Sequence, residues 1–265
     1  IIDNFETNDG DTFITTYVKA GTTWTQQMIH LLLRDGQPGG FYSETVPWLE
    51  SLSSEVLAQR EAPGWTLDKV NNISTPRFFK THATVDQLPR GLAEIKVIYI
   101  ARNPKDTVVS LYHHAKSKPE FGFTGDFKTF LRLFLLGQVE NGSWFDHVLN
   151  WHRECMNHPE THLFLMYEEI YENPMIAIQL FASHLGMQRS DAVYAQVVQH
   201  SQIDEMRSKA SIGMNHLRKG GIGGWREHFT VAMSDEFDEV YTERMKNSGL
   251  RFYFGKDQHE KEIYM

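Results

Sequence analysis

The sequence predicts an α/β fold, a single domain in which helices flank a central parallel sheet. Four short runs of β-branched and aromatic residues are typical of buried strands, and stretches with helical periodicity separate them. The predicted strands cover residues 13–17, 78–80, 95–101 and 162–167. A chain of 265 residues with 41% hydrophobic content can bury such a core, so we expect residues 1–265 to form one domain.

The first predicted strand leads into a helix through residues that suit an anion. Trp24 and Met28 begin the apolar face of the helix, and the turn before it contains Lys19, Gly21 and Thr22. Because the first N–H groups of a helix are unpaired and its dipole is positive there, this turn predicts a phosphate site. The order differs from a P-loop, in which the lysine follows the second glycine. Taken alone, the same residues also fit a plain turn and helix start.

The third predicted strand also delivers a basic residue to a helix start. Arg102 follows the strand, Asn103 is a good N-cap and Pro104 suits the first helical position. Ser110 comes two turns later at about 3.6 residues per turn, so it lies on the same side as Arg102. The alternative is a surface arginine and a serine inside a helix.

A glycine-rich segment near the C-terminus is the third candidate. Arg218 and Lys219 precede four glycines within residues 220–224. Glycines let the backbone approach a ligand closely, and adjacent arginine and lysine suit a phosphate group. On its own, this segment also fits a flexible surface loop.

Together the three segments resemble the cofactor-binding signatures of the cytosolic sulfotransferases, which use 3'-phosphoadenosine 5'-phosphosulfate (PAPS). Lys80-Thr81-His82, Tyr167-Glu168-Glu169 and residues 225–245 also match the family in order, so the resemblance covers nearly the whole chain. It implies the P-loop-kinase-like sulfotransferase fold. It also implies PAPS as the sulfuryl donor, 3'-phosphoadenosine 5'-phosphate (PAP) as the product, and no metal.

The resemblance assigns residues to each part of the nucleotide. It implies that the 5'-phosphosulfate is held by Lys19, Ala20, Gly21, Thr22 and Thr23, with Trp24 stacked on the adenine. It implies that the 3'-phosphate is bound by Arg102, Ser110, Arg218, Lys219 and Gly220. Family positions around the adenine are matched by Tyr167, Ser201, Ile203 and Met206. Each of these last four also fits an ordinary core or helix-face role.

His82 is the predicted general base. Sulfuryl transfer requires that a proton leave the acceptor, and histidine, with an unperturbed pKa of about 6.5, can take it near neutral pH. His82 follows a short strand, at the edge where open α/β sheets bind ligands. Lys19 suits the negative charge on the leaving group, and Lys80 resembles a family lysine that helps to neutralise the transferred group. We assign His113 and His114, near a helix end, structural roles.

Several positions depart from the family pattern. Val18 stands where the family commonly has proline and Ala20 where it has serine, but backbone N–H groups should still hold the phosphate. Gly224 replaces the usual aspartate before Trp225, which predicts a looser loop. Residues 83–84 (Ala-Thr) replace the commoner Leu-Pro after the histidine, and this change bears on which acceptor is used.

Composition argues against several other partners. The net charge is -8, and the sequence contains no extended basic stripe that could bind the phosphate backbone of nucleic acid. Cys155 is the single cysteine, and no apolar run approaches the roughly twenty residues needed to span a bilayer. We therefore expect a small-molecule acceptor, no nucleic-acid or membrane partner, and a cytoplasmic location. Because the chain begins at Ile1 and not at methionine, we also expect N-terminal sequence to be missing.

Residues 226–235 resemble a short dimer segment of the family, in which Thr230 and Val231 lie between a charged residue on either side, here Arg226 and Asp235. The resemblance implies a homodimer. An ordinary surface segment is the alternative, because so short a contact buries little area.

The acceptor itself stays open at this point, since a phenol, an alcohol, a steroid or an amine-bearing metabolite is compatible with His82. Its pocket should be apolar, and the aromatic candidates, which also fit the core, are Phe41, Tyr42, Trp48, residues 121–127 and residues 144–145. Two other functions remain. A P-loop-type nucleotide or small-molecule kinase would require Mg²⁺ and the other lysine order. A non-catalytic nucleotide-binding protein would not need the intact Lys19 and His82.

Overall fold

Four parallel strands form the centre of the computed structural model, which describes residues 5–53, 64–72, 74–88, 94–209 and 220–255. The strands are β1 (Asp11–Thr16), β2 (Arg77–Thr81), β3 (Lys96–Ala101) and β4 (His162–Met166). Their order across the sheet is β2-β1-β3-β4, and all three neighbouring pairs are parallel. The predicted α/β fold with a central parallel sheet is confirmed, and each predicted strand lies within two residues of its expected bounds.

Helices connect and cover these strands. In chain order they are α1 (Thr22–Leu33), α2 (Tyr42–Thr45), α3 (Leu67–Asn72), α4 (Pro104–Ser117), α5 (Phe127–Leu135), α6 (Trp144–Asn157), α7 (Tyr167–Glu172), α8 (Pro174–His184), α9 (Asp191–His200), α10 (Ile203–Lys209) and α11 (Val231–Met245). Short 3₁₀ turns occur at Leu49–Ser53, Val85–Gln87, Pro119–Phe121 and Gly224–Glu227. None of the helices in the described ranges is both long and apolar enough to cross a bilayer.

The sheet separates two hydrophobic clusters. Val97 and Tyr99 of β3 pack on one side with Trp151 of α6, whereas Ile98 and Ile100 pack on the other side with residues of α1 and α8. Successive side chains of a strand point to opposite faces, so a strand covered on both faces must be apolar at every position. This explains the nearly continuous apolar run of β3.

The two helix starts predicted beside the sheet are found at its C-terminal edge. Asn103 caps α4 by accepting a hydrogen bond from the backbone N–H of Asp106 at 2.8 Å, and Pro104 is the first helical residue. Gly21 precedes α1 with φ 105, and a Cβ at this position would lie 2.7 Å from the Tyr167 ring. The turn therefore requires glycine for both its backbone conformation and its packing.

An ion pair closes the opposite, N-terminal end of β1. The Arg77 guanidinium donates to both carboxylate oxygens of Asp11 at 2.7 Å, and its other N–H groups donate to the carbonyls of Val70 and Glu6. Both side chains are fully buried. The centres of the Phe5 and Phe79 rings lie 5.4 and 5.5 Å from the guanidinium carbon, and the charge is matched within the protein by the Asp11 carboxylate.

Candidate active site

A cavity of about 680 Å³ opens at the C-terminal ends of β1, β2 and β3. It collects residues from all three segments singled out in the sequence. The predicted site residues that line it are Lys19, Gly21, Thr22, Thr23, Trp24, Lys80, His82, Arg102, Ser110, Tyr167, Ser201, Ile203 and Gly220. The side chains of Ala20 and Met206 are buried and are not part of the lining. Arg218 and Lys219 lie outside the described residues.

Lys19 sits in the turn between β1 and α1 with a left-handed backbone, φ 68. Burial, which is the largest cause, and the neighbouring cations Lys80 and Arg102 together lower the pKa of its ammonium group to about 8. Like charges held together out of water raise one another's free energy. A bound anion would remove this cost, so the electrostatics of the turn favour an anionic ligand.

The first turn of α1 is joined to the end of β1 by hydroxyl groups. The hydroxyl oxygens of Thr16 and Thr22 are 2.6 Å apart. The N–H of Ala20 donates to the carbonyl of Tyr17 at 3.2 Å, so this group serves the turn itself. Trp24, one turn further, donates from its indole nitrogen to the carbonyl of Ser201 at 2.8 Å.

Arg102 links the turn to the late glycine-rich loop. Its guanidinium donates to the carbonyls of Lys19 at 3.2 Å and Gly221 at 3.0 Å, and it lies 4.4 Å from the centre of the Tyr167 ring. The Tyr167 hydroxyl in turn accepts from the N–H of Gly221 at 3.3 Å. The Arg102 Nε is buried and has no hydrogen-bond partner among the residues that the structure describes. A buried donor without a partner is costly, and a phosphate oxygen would satisfy it.

His82 follows β2 directly, and its ring is held by the end of β1. Its Nδ1 lies 2.9 Å from the carbonyl oxygen of Thr16. Because a carbonyl can only accept, Nδ1 carries the proton, and Nε2 of the neutral ring is left to take one. Burial is the largest cause that holds the pKa of His82 well below its usual value, and the charge on Lys80 acts in the same direction. The ring is therefore neutral at physiological pH.

A second layer of contacts fixes the backbone of His82. Its N–H donates to the Glu50 carboxylate at 2.6 Å, which also accepts from the Thr81 hydroxyl at 2.9 Å. Its carbonyl accepts from Nε2 of His147 at 3.1 Å, and the Tyr99 hydroxyl donates to Nδ1 of that histidine at 2.8 Å. Burial lowers the pKa of His147 to about 4, so it stays neutral and keeps this arrangement.

The side of the cavity beyond His82 combines apolar and charged groups. Of the aromatic candidates, Trp48 and Phe121 line the cavity, whereas Trp144 and Phe145 are fully buried in the core. The Lys80 ammonium lies 4.6 Å from the centre of the Trp48 ring. Glu140, Glu120 and Lys118 complete this side. Within the described residues, no group of three or more His, Cys, Asp or Glu side chains is placed to hold a metal ion.

One face of α4 contributes more to the cavity than the sequence predicted. Asp106, Ser110 and His114 follow one another at intervals of four residues, and all three line the cavity. His114, to which a structural role was assigned from the sequence, is therefore also part of the cavity lining. The four-residue spacing from Ser110 was the signal that could have found it, because such residues share a helix face. His113 instead points to His228, with their Nε2 atoms 2.8 Å apart.

The late loop and the segment after it also differ from expectation. The N–H groups of Gly223 and Trp225 donate to the Asp106 carboxylate at 2.8 and 2.9 Å, so the loop that Gly224 was expected to loosen is tied to α4. Thr230 caps α11, and the Val231 side chain is 80% exposed. A homodimer through residues 226–235 stays a prediction.

Fold and cavity together define an α/β protein with a cavity at the carboxyl edge of its sheet that is lined by Lys19, Lys80 and Arg102. Residues 9–249 match the family described as "Sulfotransferase domain". Among curated relatives, Sulfotransferase 1B1 of Mus musculus is 32% identical over 95% of this chain and 88% of its own length. Sulfotransferase 2B1 of Rattus norvegicus is 36% identical over 89% of this chain and 71% of its own length.

Solved structures give the same result. Mouse sulfotransferase SULT7A1, determined in complex with PAP, has a TM-score of 0.78 and 30% sequence identity, and the match covers 93% of this chain and 87% of that chain. The chain belongs to the sulfotransferase family.

Proposed function

We propose that this protein transfers the sulfuryl group of PAPS to a hydroxyl or amine of a small molecule, with His82 as the general base. The observation that carries the proposal is the convergence in one cavity of a neutral imidazole and three cations, Lys19, Lys80 and Arg102. A family relative, mouse SULT7A1, was solved with PAP, which is the product that PAPS leaves after transfer.

The residues present fit this nucleotide. The buried Nε of Arg102 lacks a partner in the described part of the chain, and phosphate oxygens are suitable acceptors for such a donor. On the proposal, Lys19, Gly21, Thr22 and Thr23 hold the 5'-phosphosulfate, Trp24 lies beside the adenine, and Arg102, Ser110 and Gly220 hold the 3'-phosphate. Arg218 and Lys219 are proposed for the 3'-phosphate from the sequence alone. PAPS, when bound, supplies a sulfuryl group on a phosphate oxygen that can leave.

His82 takes the acceptor's proton on the proposal. The Thr16 carbonyl fixes the Nδ1 proton, so the acceptor O–H can donate only to Nε2. The proton passes to Nε2 as the acceptor oxygen bonds to sulfur, and the electron pair of the broken bond goes to the leaving phosphate oxygen. Positioned general bases typically accelerate such steps by about 10² to 10⁴.

Lys19 and Lys80 stabilise the charge that builds up during transfer. Both belong to the cluster of cations in which burial, and then repulsion from Lys80 and Arg102, lowers the pKa of Lys19 to about 8. Negative charge on the leaving oxygen relieves this repulsion, so these lysines bind the transition state more tightly than the resting site. We also propose a cytoplasmic location, which the buried and unpaired thiol of Cys155 supports.

Turnover with PAPS and a panel of phenols, alcohols, steroids and amines, in the presence of EDTA, tests the proposal. We expect sulfated product without added metal, and PAP as the second product. A kinase of the P-loop type would be inactive under these conditions because it needs Mg²⁺. Tight PAP binding without turnover across the whole panel would instead support a non-catalytic nucleotide-binding protein.

A further inference from the structure

We propose that Asp106 is a positioning residue for the 3'-phosphate end of the site. Its carboxylate holds the late loop, residues 220–225, against the start of α4, in the shape that brings Gly220 and Gly221 to Arg102. This inference rests on the proposed function, because that function places the 3'-phosphate at Arg102.

The Asp106 carboxylate accepts three hydrogen bonds, one from the neighbouring Asn103 and two from the distant late loop. Oδ2 accepts from the N–H of Gly223 at 2.8 Å and from the side-chain amide of Asn103 at 2.9 Å, and Oδ1 accepts from the N–H of Trp225 at 2.9 Å. The residue is only 4% exposed, so water does not compete for these donors. Charge-assisted hydrogen bonds of this kind are stronger than neutral ones.

The same network reaches α7, the helix that follows β4. Asn103 donates from both its backbone N–H and its side-chain amide to Oε1 of Glu168, each at 3.0 Å. Asn103 directly follows Arg102, whose guanidinium donates to the carbonyl of Gly221. The binding arginine and the loop that it contacts are therefore held by one continuous set of buried contacts, with Asp106 at its centre.

The far side of the loop has a separate anchor. Lys105 is buried, forms an ion pair with Asp238 at 2.8 Å, and lies 4.4 Å from the centre of the Trp225 ring. This anchor secures Trp225 and the helix α11 behind it. On the near side, residues 220–223, Gly220 and Gly221 line the cavity. This side is bonded to α4 through the Gly223 N–H, which donates to the Asp106 carboxylate. Loss of Asp106 should thus displace the binding side of the loop while Trp225 stays packed.

Only a carboxylate can accept all three donors. An asparagine at position 106 would offer one oxygen and one amide group, so at least one donor would face another donor.

The test is a comparison of two ligands on two proteins. PAP carries the 3'-phosphate and AMP lacks it, so the ratio of their dissociation constants reports on the 3'-phosphate site alone. We expect Asp106→Asn to weaken PAP binding about tenfold while AMP binding changes less than about twofold, since the loss of charge-assisted hydrogen bonds is of this order. Titration calorimetry on the full chain measures both constants.

Asp126→Asn is the matched control. Asp126 also accepts a backbone N–H near a helix start, from Thr129 at 2.9 Å, but it caps α5 and is absent from the lining of the cavity. We expect its PAP and AMP dissociation constants to equal those of the wild type.

Hydrogen exchange of backbone amides is a second test, and it uses the wild-type protein alone. The N–H groups of Gly223 and Trp225 should be protected before any nucleotide is added.

The outcomes separate this inference from the function on which it rests. If the wild type does not prefer PAP to AMP, the proposed function fails and this inference fails with it. If the wild type prefers PAP but Asp106→Asn keeps the same ratio, or loses both ligands equally, only the positioning role is overturned. Rapid exchange of the Gly223 and Trp225 amides in the absence of nucleotide would overturn it as well, even if the variant does not fold.

Discussion

The two ends of β1 differ in how the charged side chains beside them are paired. At the N-terminal end, the Arg77 guanidinium is matched by the Asp11 carboxylate and by two carbonyls, with both side chains fully buried. At the C-terminal end, Lys19 lies near two other cations, and its pKa falls to about 8 as a result of burial and of their charges. One strand six residues long thus separates a closed ion pair from a lysine on which mostly positive charges act.

The difference shows how the fold distributes stability and binding. A buried ion pair with all its hydrogen bonds adds specificity to the fold and offers nothing to a ligand. Cations held close together, with fewer negative charges beside them, slightly destabilise the unliganded protein. A bound anion removes this repulsion, so the same groups favour binding. Five predictions test whether the two ends are as distinct as their contacts indicate.

Removal of the base at the open end should have the largest effect. His82→Ala is expected to lower kcat by about a thousandfold, within the usual range for a general base, with the PAP dissociation constant unchanged. Steady-state kinetics and PAP titration measure the two quantities. His152→Ala, which removes a histidine outside the cavity, is the control and should leave both unchanged.

The pH profile of the wild type checks the same residue. Because the pKa of His82 lies well below its usual value, the base should remain neutral from pH 8 to pH 6, and kcat should stay level across this range. A fall in kcat on acidification, with a midpoint near pH 6.5, would indicate that His82 has an ordinary histidine pKa. That result would contradict the burial described for its ring.

Disruption of the closed end should affect stability and not binding. Arg77→Met leaves the Asp11 carboxylate buried without its partner, which typically costs about 3–5 kcal/mol of unfolding free energy. Urea denaturation measures this loss. PAP binding by the folded fraction should match the wild type, and a large loss of PAP affinity at constant stability would erase the distinction between the two ends.

Lys19→Met should show the reverse pattern. We expect PAP affinity to fall by about 10- to 100-fold, the range for loss of a charged hydrogen-bond partner. The pKa of Lys19 lies below its ordinary value, so the fold disfavours the protonated amine, and its removal should not lower the thermal midpoint of the unliganded protein at pH 7. Calorimetry with and without PAP tests both statements, and a destabilised unliganded variant would refute the second.

The smallest expected effect is the pH dependence of PAP binding. Anion binding favours protonated Lys19, whose pKa of about 8 means that the charge is lost as pH rises through that value. The PAP dissociation constant should therefore rise by up to about tenfold between pH 7 and pH 9. Lys19→Met should abolish this rise, and a rise of equal size in the variant would assign the titration to another group.

The sheet and both helix starts could be predicted because their signals are local. The apolar runs of β1 and β3, and the Asn103-Pro104 cap, each lie within a few residues of the structure that they specify. The meeting of the three segments at one edge followed from the resemblance and from the rule that ligands bind at the carboxyl ends of parallel strands. The order of the strands was not predicted from the sequence.

The supporting contacts of the site could not be predicted in the same way. Asp106 accepts from backbone groups 117 and 119 residues further along the chain, and a backbone N–H has no sequence identity to detect. Glu50 likewise binds the backbone N–H of His82 from a distant 3₁₀ turn. In the sequence, both carboxylates look like ordinary surface acids, and only the fold reveals that they are buried.

The last carbonyl of β1 restricts what chemistry this scaffold can adopt. Thr16 offers an oxygen that must receive a proton from whatever occupies position 82. An engineer who replaced the imidazole with aspartate or glutamate, in search of a base of different strength, would set two electron-rich oxygens against each other. A different base at position 82 must therefore carry a hydrogen-bond donor that faces the Thr16 carbonyl and a lone pair that faces the cavity.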